Sequence, residues 1–475
     1  AWGELAAEAQ AFVTEYLSSV TSLPVFPQAA VGEFAENFSS ALPEEGASVT
    51  EVVAECRAIR DASRHTGHPR FFGYVASSAS PVGVIGDFIA SALNQNLTAW
   101  RSSPAATDVE RTVVRWLAQL IGYGEEVGGL LTSGGSMANL NALYIALRAK
   151  SGAEPSLKGL WRTERPMTIY ASEEVHLSIA KAADVLGIGR EQVRLVETDE
   201  RFRCDVRALR ERVESDARNN LQPFCVVGSA GTVATGAVDP LAAMASVARE
   251  HGLWFHIDGA YGALGASDPA RRELFAGMEL ADSVSLDPHK WLYAPIDCGC
   301  LLLRDATHAR AAFQQGEADY IKVYEEDERE AFAFWDYGVE LTRRFRALKV
   351  WMMLRYYGAR RLSEAVSEDI SLAKYLAEQV EAAADFELLA PVELSICCFR
   401  YVPEKLREAG DEAALDRLNE QLMYRVQRGG KAYLSNASLR GRFALRACIV
   451  NFRTTRADLD LTLDIVREAA TDLEA

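Results

Sequence analysis

Leu253-Trp254-Phe255-His256-Ile257-Asp258-Gly259-Ala260-Tyr261-Gly262 is the stretch whose reading decides the fold. An uncharged, mostly apolar run meets an acid at Asp258, and small residues follow at once. A strand covered on both faces reads as such a run, whereas a half-exposed strand alternates polar with apolar. Working outward, short apolar runs recur at 167–171, 192–196, 224–228, 283–286 and 299–303, with longer amphipathic stretches between them. That alternation predicts an α/β architecture, a mostly parallel sheet with crossover helices on its two faces. Towards the N-terminus, Leu5, Phe12, Val13, Tyr16, Leu17 and Val20 recur at helical spacing, and further helical patterns cover 49–59 and 81–93. The segment 316–329 is charged and reads as a mobile loop. Beyond Arg343 the helical pattern returns, and the runs 394–400 and 442–450 lie among helices. The expected organisation is an N-terminal helical segment (1–80), a large domain (81–350) and a small C-terminal α+β domain (351–475).

With 475 residues, 49% of them hydrophobic and 25% charged, the chain has ample material for a buried core. Its formal charge of −17 repels phosphate backbones and anionic lipid, which argues against nucleic acid and membrane surfaces as partners. No apolar run is long enough to span a bilayer, and Ala1-Trp2-Gly3-Glu4 is unlike a secretory signal. The eight cysteines include no C-x-x-C pair and sit away from the seven histidines, so buried reduced thiols are expected and a zinc site is not. These features predict a cytoplasmic protein.

Lys290 lies 32 residues beyond Asp258, in Ser285-Leu286-Asp287-Pro288-His289-Lys290-Trp291. Alone, it is explained as a lysine snorkelling from a strand end. Asp258, however, stands at the carboxyl end of a predicted parallel strand, the edge where α/β sheets bind ligands. A buried acid there needs a partner, and a protonated pyridine nitrogen is one. An Asp with a downstream Lys is the minimum machinery of a pyridoxal phosphate enzyme: the lysine forms the Schiff base and the acid keeps the ring protonated as an electron sink. Three more pieces fit. Leu131-Thr132-Ser133-Gly134-Gly135-Ser136-Met137-Ala138-Asn139 opens a helix with small residues that can present N–H groups to an anion, though a Gly-Gly helix start alone is weak evidence. Glu174-Val175-His176-Leu177-Ser178 holds an imidazole flat enough to stack on a pyridine, where helix capping is the ordinary explanation. Ala230-Gly231-Thr232-Val233-Ala234-Thr235-Gly236 offers a hydroxyl at the same sheet edge.

In this order the five pieces resemble the pyridoxal-phosphate-dependent group II amino-acid decarboxylases. The resemblance spans nearly the whole chain and includes His68-Pro69-Arg70-Phe71-Phe72-Gly73-Tyr74, Trp100-Arg101-Ser102-Ser103-Pro104 and Arg343-Arg344-Phe345-Arg346-Ala347-Leu348-Lys349. The segment from Trp100 is most similar to the aromatic-substrate branch. The resemblance implies the aspartate aminotransferase fold (fold type I) and a homodimer with shared sites, whose N-terminal helices pack on the partner. It further implies Lys290 as the Schiff-base lysine, Asp258 as the ring-nitrogen partner and His176 as the stacking residue. Gly134, Gly135, Ser136 and His289 would hold the phosphate, and Thr232 and Ala260 would flank the ring. Tyr74 and Val75 would line the substrate pocket, with Asn96, Thr98 and Trp100 reaching in from the second subunit.

Two departures matter. Asn96 and Thr98 stand where the family carries bulky apolar residues. Counted back from Arg343 without gaps, Phe334 stands where the aromatic branch carries a tyrosine that protonates the carbanion, and a phenyl ring cannot donate a proton. In plant relatives that change accompanies aldehyde synthases, which decarboxylate and oxidatively deaminate with oxygen. Tyr320, Tyr324 or Tyr337 could serve as donor instead. The expected activity is decarboxylation of an aromatic L-amino acid to its amine, with the aldehyde synthase as the alternative. The same kit also serves transamination or aldol cleavage. A binding module with a vestigial site would have no need of a Schiff-base lysine.

Overall fold

The computed structural model describes residues 2–27, 32, 41–151, 159–160, 165–314 and 330–474. Tyr320, Tyr324 and the whole 316–329 segment lie outside the described residues. Two compact units divide the chain. One comprises Ala1–Ser78, Ser371–Leu389 and Ile396–Ala475; the other comprises Ala79–Ile370 and Ala390–Ser395.

The second unit is built on a seven-stranded sheet: β1 (Gly128–Thr132), β2 (Met167–Ser172), β3 (Val193–Val196), β4 (Gln222–Ser229), β5 (Trp254–Asp258), β6 (Ser283–Leu286) and β7 (Gly299–Leu303). Their order is β1-β7-β6-β5-β4-β2-β3. Five of these strands, from β6 through β3, pair in parallel. Strand β7 runs antiparallel to both neighbours, β6 and β1. This is the exception to the expected parallel pattern. The link from β6 to β7, residues 287–298, holds a single helical turn at Pro288–Trp291 and brings the chain back antiparallel beside β6. Strands β2 and β5 to β7 are buried throughout, as their unbroken apolar runs require.

Helices α3 (Pro81–Leu93), α4 (Pro104–Leu120), α5 (Gly135–Ser151), α6 (Leu177–Val185), α7 (Val206–Arg218) and α8 (Leu241–Glu250) belong to this unit. The core around α5 gathers Ala138, Ala142, Leu143, Ile145 and Ala146 with Ile169, Phe224, Val227 and Leu301. Small residues along α5 let the helix lie close to the sheet.

In the first unit, α1 (Trp2–Ser19) carries no buried residue and meets α2 (Val49–Asp61), in part through Arg60 and Glu15 at 2.6 Å. A four-stranded antiparallel sheet contains β8 (Phe386–Leu388), β9 (Ile396–Tyr401), β10 (Ser435–Leu439) and β11 (Arg442–Cys448). Arg440 (φ 51°) and Gly441 (φ 80°) link β10 to β11, and positive φ at both turn positions suits a tight hairpin.

Candidate active site

Strands β1, β2, β4, β5 and β6 all point one way, so the loops that follow them meet at one edge of the sheet. Asp258 ends β5 and is 7% exposed. Its Oδ2 accepts from Asn139 Nδ2 at 2.8 Å; its Oδ1 accepts from the Ala260 N–H at 3.2 Å and from Ser285 Oγ at 3.3 Å. A carboxylate has about four lone-pair sites, so three donors leave room for one more.

Lys290 follows β6, and its Nζ is 3.1 Å from Asp287 Oδ2. Asp287 is buried, and its Oδ1 has no hydrogen-bond partner among the described residues. His289 Nδ1 donates to the Cys298 carbonyl at 2.7 Å, which leaves Nε2 facing Asp287 at 3.9 Å.

His176 is the N-cap of α6, and its Nδ1 accepts from the Ser178 N–H at 3.2 Å. Burial pushes its pKa down; Asp258 opposes that shift, Lys290 adds to it and Asp287 opposes it. The imidazole therefore lies within electrostatic reach of all three charged groups.

At the start of α5, Met137 and Ala138 close on the Gly134 carbonyl, both at 3.0 Å. The N–H groups of Gly135 and Ser136 have no intrahelical partner, and the helix dipole favours an anion there. A Cβ on Gly135 would come within 2.7 Å of Ala260 Cβ and 2.9 Å of Asp287 Oδ2, so only glycine leaves this approach open. Thr232 is buried, with its hydroxyl 3.0 Å from that of Thr235 and accepting from the Ala237 N–H at 3.2 Å.

Residues 96–100 are held by Arg343. The Arg343 N–H donates to Asn96 Oδ1 at 2.9 Å, and its guanidinium donates to Leu97 O at 3.1 Å and Leu131 O at 2.7 Å while pairing with buried Glu110. Thr98 O accepts from Phe334 N at 2.9 Å, and Trp100 Nε1 donates to Asp108 at 3.2 Å. Phe334 is fully buried, with the Arg343 guanidinium 4.1 Å from its ring centroid and Phe332 packed edge-on. Tyr337 stacks on Phe332, and burial raises its pKa. In the first unit, Tyr74 holds a positive φ of 57° and Val75 follows it; the Tyr74 hydroxyl lies 3.2 Å from that of Tyr433.

Residues 32–402 match the pyridoxal-dependent decarboxylase conserved domain. The chain belongs to that family. The aromatic-L-amino-acid decarboxylase of Bacillus atrophaeus is 34% identical to this decarboxylase over 461 residues, 96% of this chain and 92% of its own. The 4-hydroxyphenylacetaldehyde synthase of Rhodiola rosea is 31% identical over 469 residues, 97% of this chain and 93% of its own. The crystal structure of Oryza sativa TDC with PLP and tryptamine matches with a TM-score of 0.92 at 30% identity, over 99% of this chain and 97% of that one.

The residues fit pyridoxal phosphate. A primary amine at Lys290, a buried acid with one acceptor position left and a glycine-lined helix start are the three groups this cofactor needs. Sequence reasoning passed over Asn139, His256 and Ser178. The signal was available: His256 and Asp258 are two apart on a strand and share a face, and Asn139 is one turn into the helix that Gly135 opens.

Proposed function

We propose that this decarboxylase removes the carboxylate of an aromatic L-amino acid and releases the amine, as a cytoplasmic homodimer. The buried Asp258 held by Asn139, Ala260 and Ser285, with Lys290 against Asp287 and the Gly135 helix start beside Asp287 and Ala260, carries the reading of the site. Bound pyridoxal phosphate supplies the electron sink for the pair left when the bond from Cα to the carboxylate breaks. Lys290 would hold the cofactor through its Nζ. Asp258 would accept the ring N–H at its remaining lone pair, and Asn139, Ala260 and Ser285 keep the acid aimed. The N–H groups of Gly135 and Ser136 would take the phosphate. His176 would shield the ring from water.

The aromatic substrate class is supported by the names of the relatives, and by Trp100 and its neighbours as candidate pocket residues. A dimer is supported by α3, where Ile85, Phe88, Ile89 and Leu93 are exposed on the side away from buried Gly83, Gly86 and Ala90. Eight free cysteines suit a reducing compartment, and among the described residues no helix is long and apolar enough to cross a membrane. The gap-free count that sets Phe334 at the donor position supports a second reading, the aldehyde synthase, since without a phenol there the carbanion would have longer to meet oxygen.

Holoenzyme incubated with tryptophan, tyrosine and phenylalanine, with carbon dioxide, amine, aldehyde and peroxide all measured, tests both readings. Amine equal to carbon dioxide supports the first. One oxygen consumed per carbon dioxide, with aldehyde and peroxide, replaces it with the second. No carbon dioxide from any of the three removes the aromatic assignment.

A further inference from the structure

A continuous chain of side-chain hydrogen bonds runs from Trp254 to Asp258 and His176, and its two ends determine the direction of every proton in it. Trp254 Nε1 is a donor only, and it donates to Ser283 Oγ at 2.9 Å. Asp258, as a carboxylate, is an acceptor only, and Asn139 Nδ2 donates to it at 2.8 Å. The second Nδ2 proton of Asn139 goes to Ser178 Oγ at 2.9 Å. With both amide protons committed, Asn139 Oδ1 accepts, so His256 Nε2, 3.0 Å away, carries a proton. Turning the amide over would set its oxygen against the Asp258 carboxylate, acceptor against acceptor. Burial outweighs the opposing pull of Asp258 and the Ser283 backbone and keeps His256 neutral, with its pKa pushed down to about 4; with Nε2 protonated, its Nδ1 is bare and accepts from the Ser283 hydroxyl at 2.9 Å. At the other branch Ser178 Oγ has received a proton from Asn139 and spends its own on His176 Nδ1, 2.7 Å away. The Ser178 N–H points at the same nitrogen.

We propose that Asn139 and His256 are positioning residues that aim the Asp258 carboxylate and fix His176 as the tautomer protonated on Nε2. One amide thus serves both groups. It fills one site on the acid and, through Ser178, requires a bare Nδ1 on the imidazole, so the proton-bearing nitrogen of His176 is the one turned away from α6. Neither residue reaches the reacting atoms by this route; both act through Asp258 and Ser178. Aiming Asp258 for a ring nitrogen rests on the function proposed above, whereas the proton directions follow from the hydrogen bonds and the buried, neutral His256.

The test uses protein with ¹⁵N-labelled histidine, studied by NMR with and without pyridoxal phosphate, alongside cofactor affinity and the pH dependence of the bound-cofactor absorption band. In wild-type protein near pH 7, His256 and His176 should both be neutral with the proton on Nε2, before cofactor is added. Asn139→Leu should mix the His176 tautomers, weaken cofactor binding at least about tenfold and move the pH dependence of the band, because the acid loses a donor worth roughly that factor. Asn139→Asp keeps the shape but offers no donors, and should do the same. His256→Gln retains a donor to Oδ1 and should restore what His256→Leu loses. A His176 proton on Nδ1, or an Asn139→Asp protein that keeps the wild-type tautomer, affinity and band, overturns the proposal. Cofactor trapped on Lys290 by borohydride is the separate check on the proposed function: losing it would remove that reading and leave the histidine spectra untouched.

Discussion

Asp258 and Lys290 do different work, and substitution separates them. Asp258→Asn keeps the shape but removes the charge proposed to hold a proton on the ring nitrogen. Its rate should fall at least about a hundredfold, on the order of 3 kcal/mol of transition-state stabilisation, read as kcat with saturating cofactor. A near-wild-type rate would assign that role to another acid. Lys290→Ala should lose turnover and borohydride-trapped cofactor together while the circular dichroism stays native. Full activity in that variant would remove the assignment of the site. His256 predicts an acid sensitivity. Its folded pKa is held near 4 against an ordinary 6.5, so below 6.5 the unfolded chain takes up a proton that the folded one refuses. Stability is therefore undiminished above about pH 6.5 and falls as the pH drops towards 4, by up to about 3 kcal/mol for this one group. His68, also held near 4 chiefly by burial, adds to the same loss. Urea midpoints at pH 7 and pH 5 should differ less in His256→Gln than in the wild type.

At the scale of elements, Arg343 joins three of them. It bonds to β1 at Leu131, to the 96–100 segment and to Glu110 of α4, and it covers the Phe334 ring. Glu110 is wholly buried; its Oε1 takes the Arg343 guanidinium and the Leu131 N–H, the latter at 2.9 Å, and its Oε2 has no hydrogen-bond partner among the described residues. Arg343→Met would strand that charge at a cost of about 3–5 kcal/mol, whereas the double variant with Glu110→Gln should recover part of the loss. Thermal denaturation of the single and double variants measures it; equal losses would show that Glu110 is not held by Arg343. Because β1 leads directly into Ser133-Gly134-Gly135, the single variant should also weaken cofactor binding. The i, i+2 pair on β5 and the first turn of α5 are local patterns. Their junction through Asn139 is not local, since 117 residues separate it from His256.

For the molecule as a whole, the exposed stripe Ile85, Phe88, Ile89 and Leu93 predicts self-association. Phe88→Glu should shift sedimentation from dimer to monomer and lower activity with it, because the proposed sites draw residues from two chains. An active monomer at high dilution would contradict shared sites. The substitution should leave the fold intact, since Phe88 is 57% exposed.

Much of this was legible in order along the chain. Unbroken apolar runs dictate buried strands, amphipathic stretches dictate covering helices, and residues at strand ends fall on one sheet edge because every parallel strand finishes there. Asp258, His176, Lys290 and the Gly134–Gly135 turn could be picked out for that reason. The reversal of β7 was not legible, because an apolar run carries no sign of its direction and a twelve-residue link with one helical turn is long enough for either pairing. Nor was the burial of Phe334, whose place beneath Arg343 depends on residues far away in sequence. The proton order through Trp254, Ser283, His256 and Asn139 is likewise tertiary. Residue types say which groups can donate, but only distances in the folded chain say which atom each one meets.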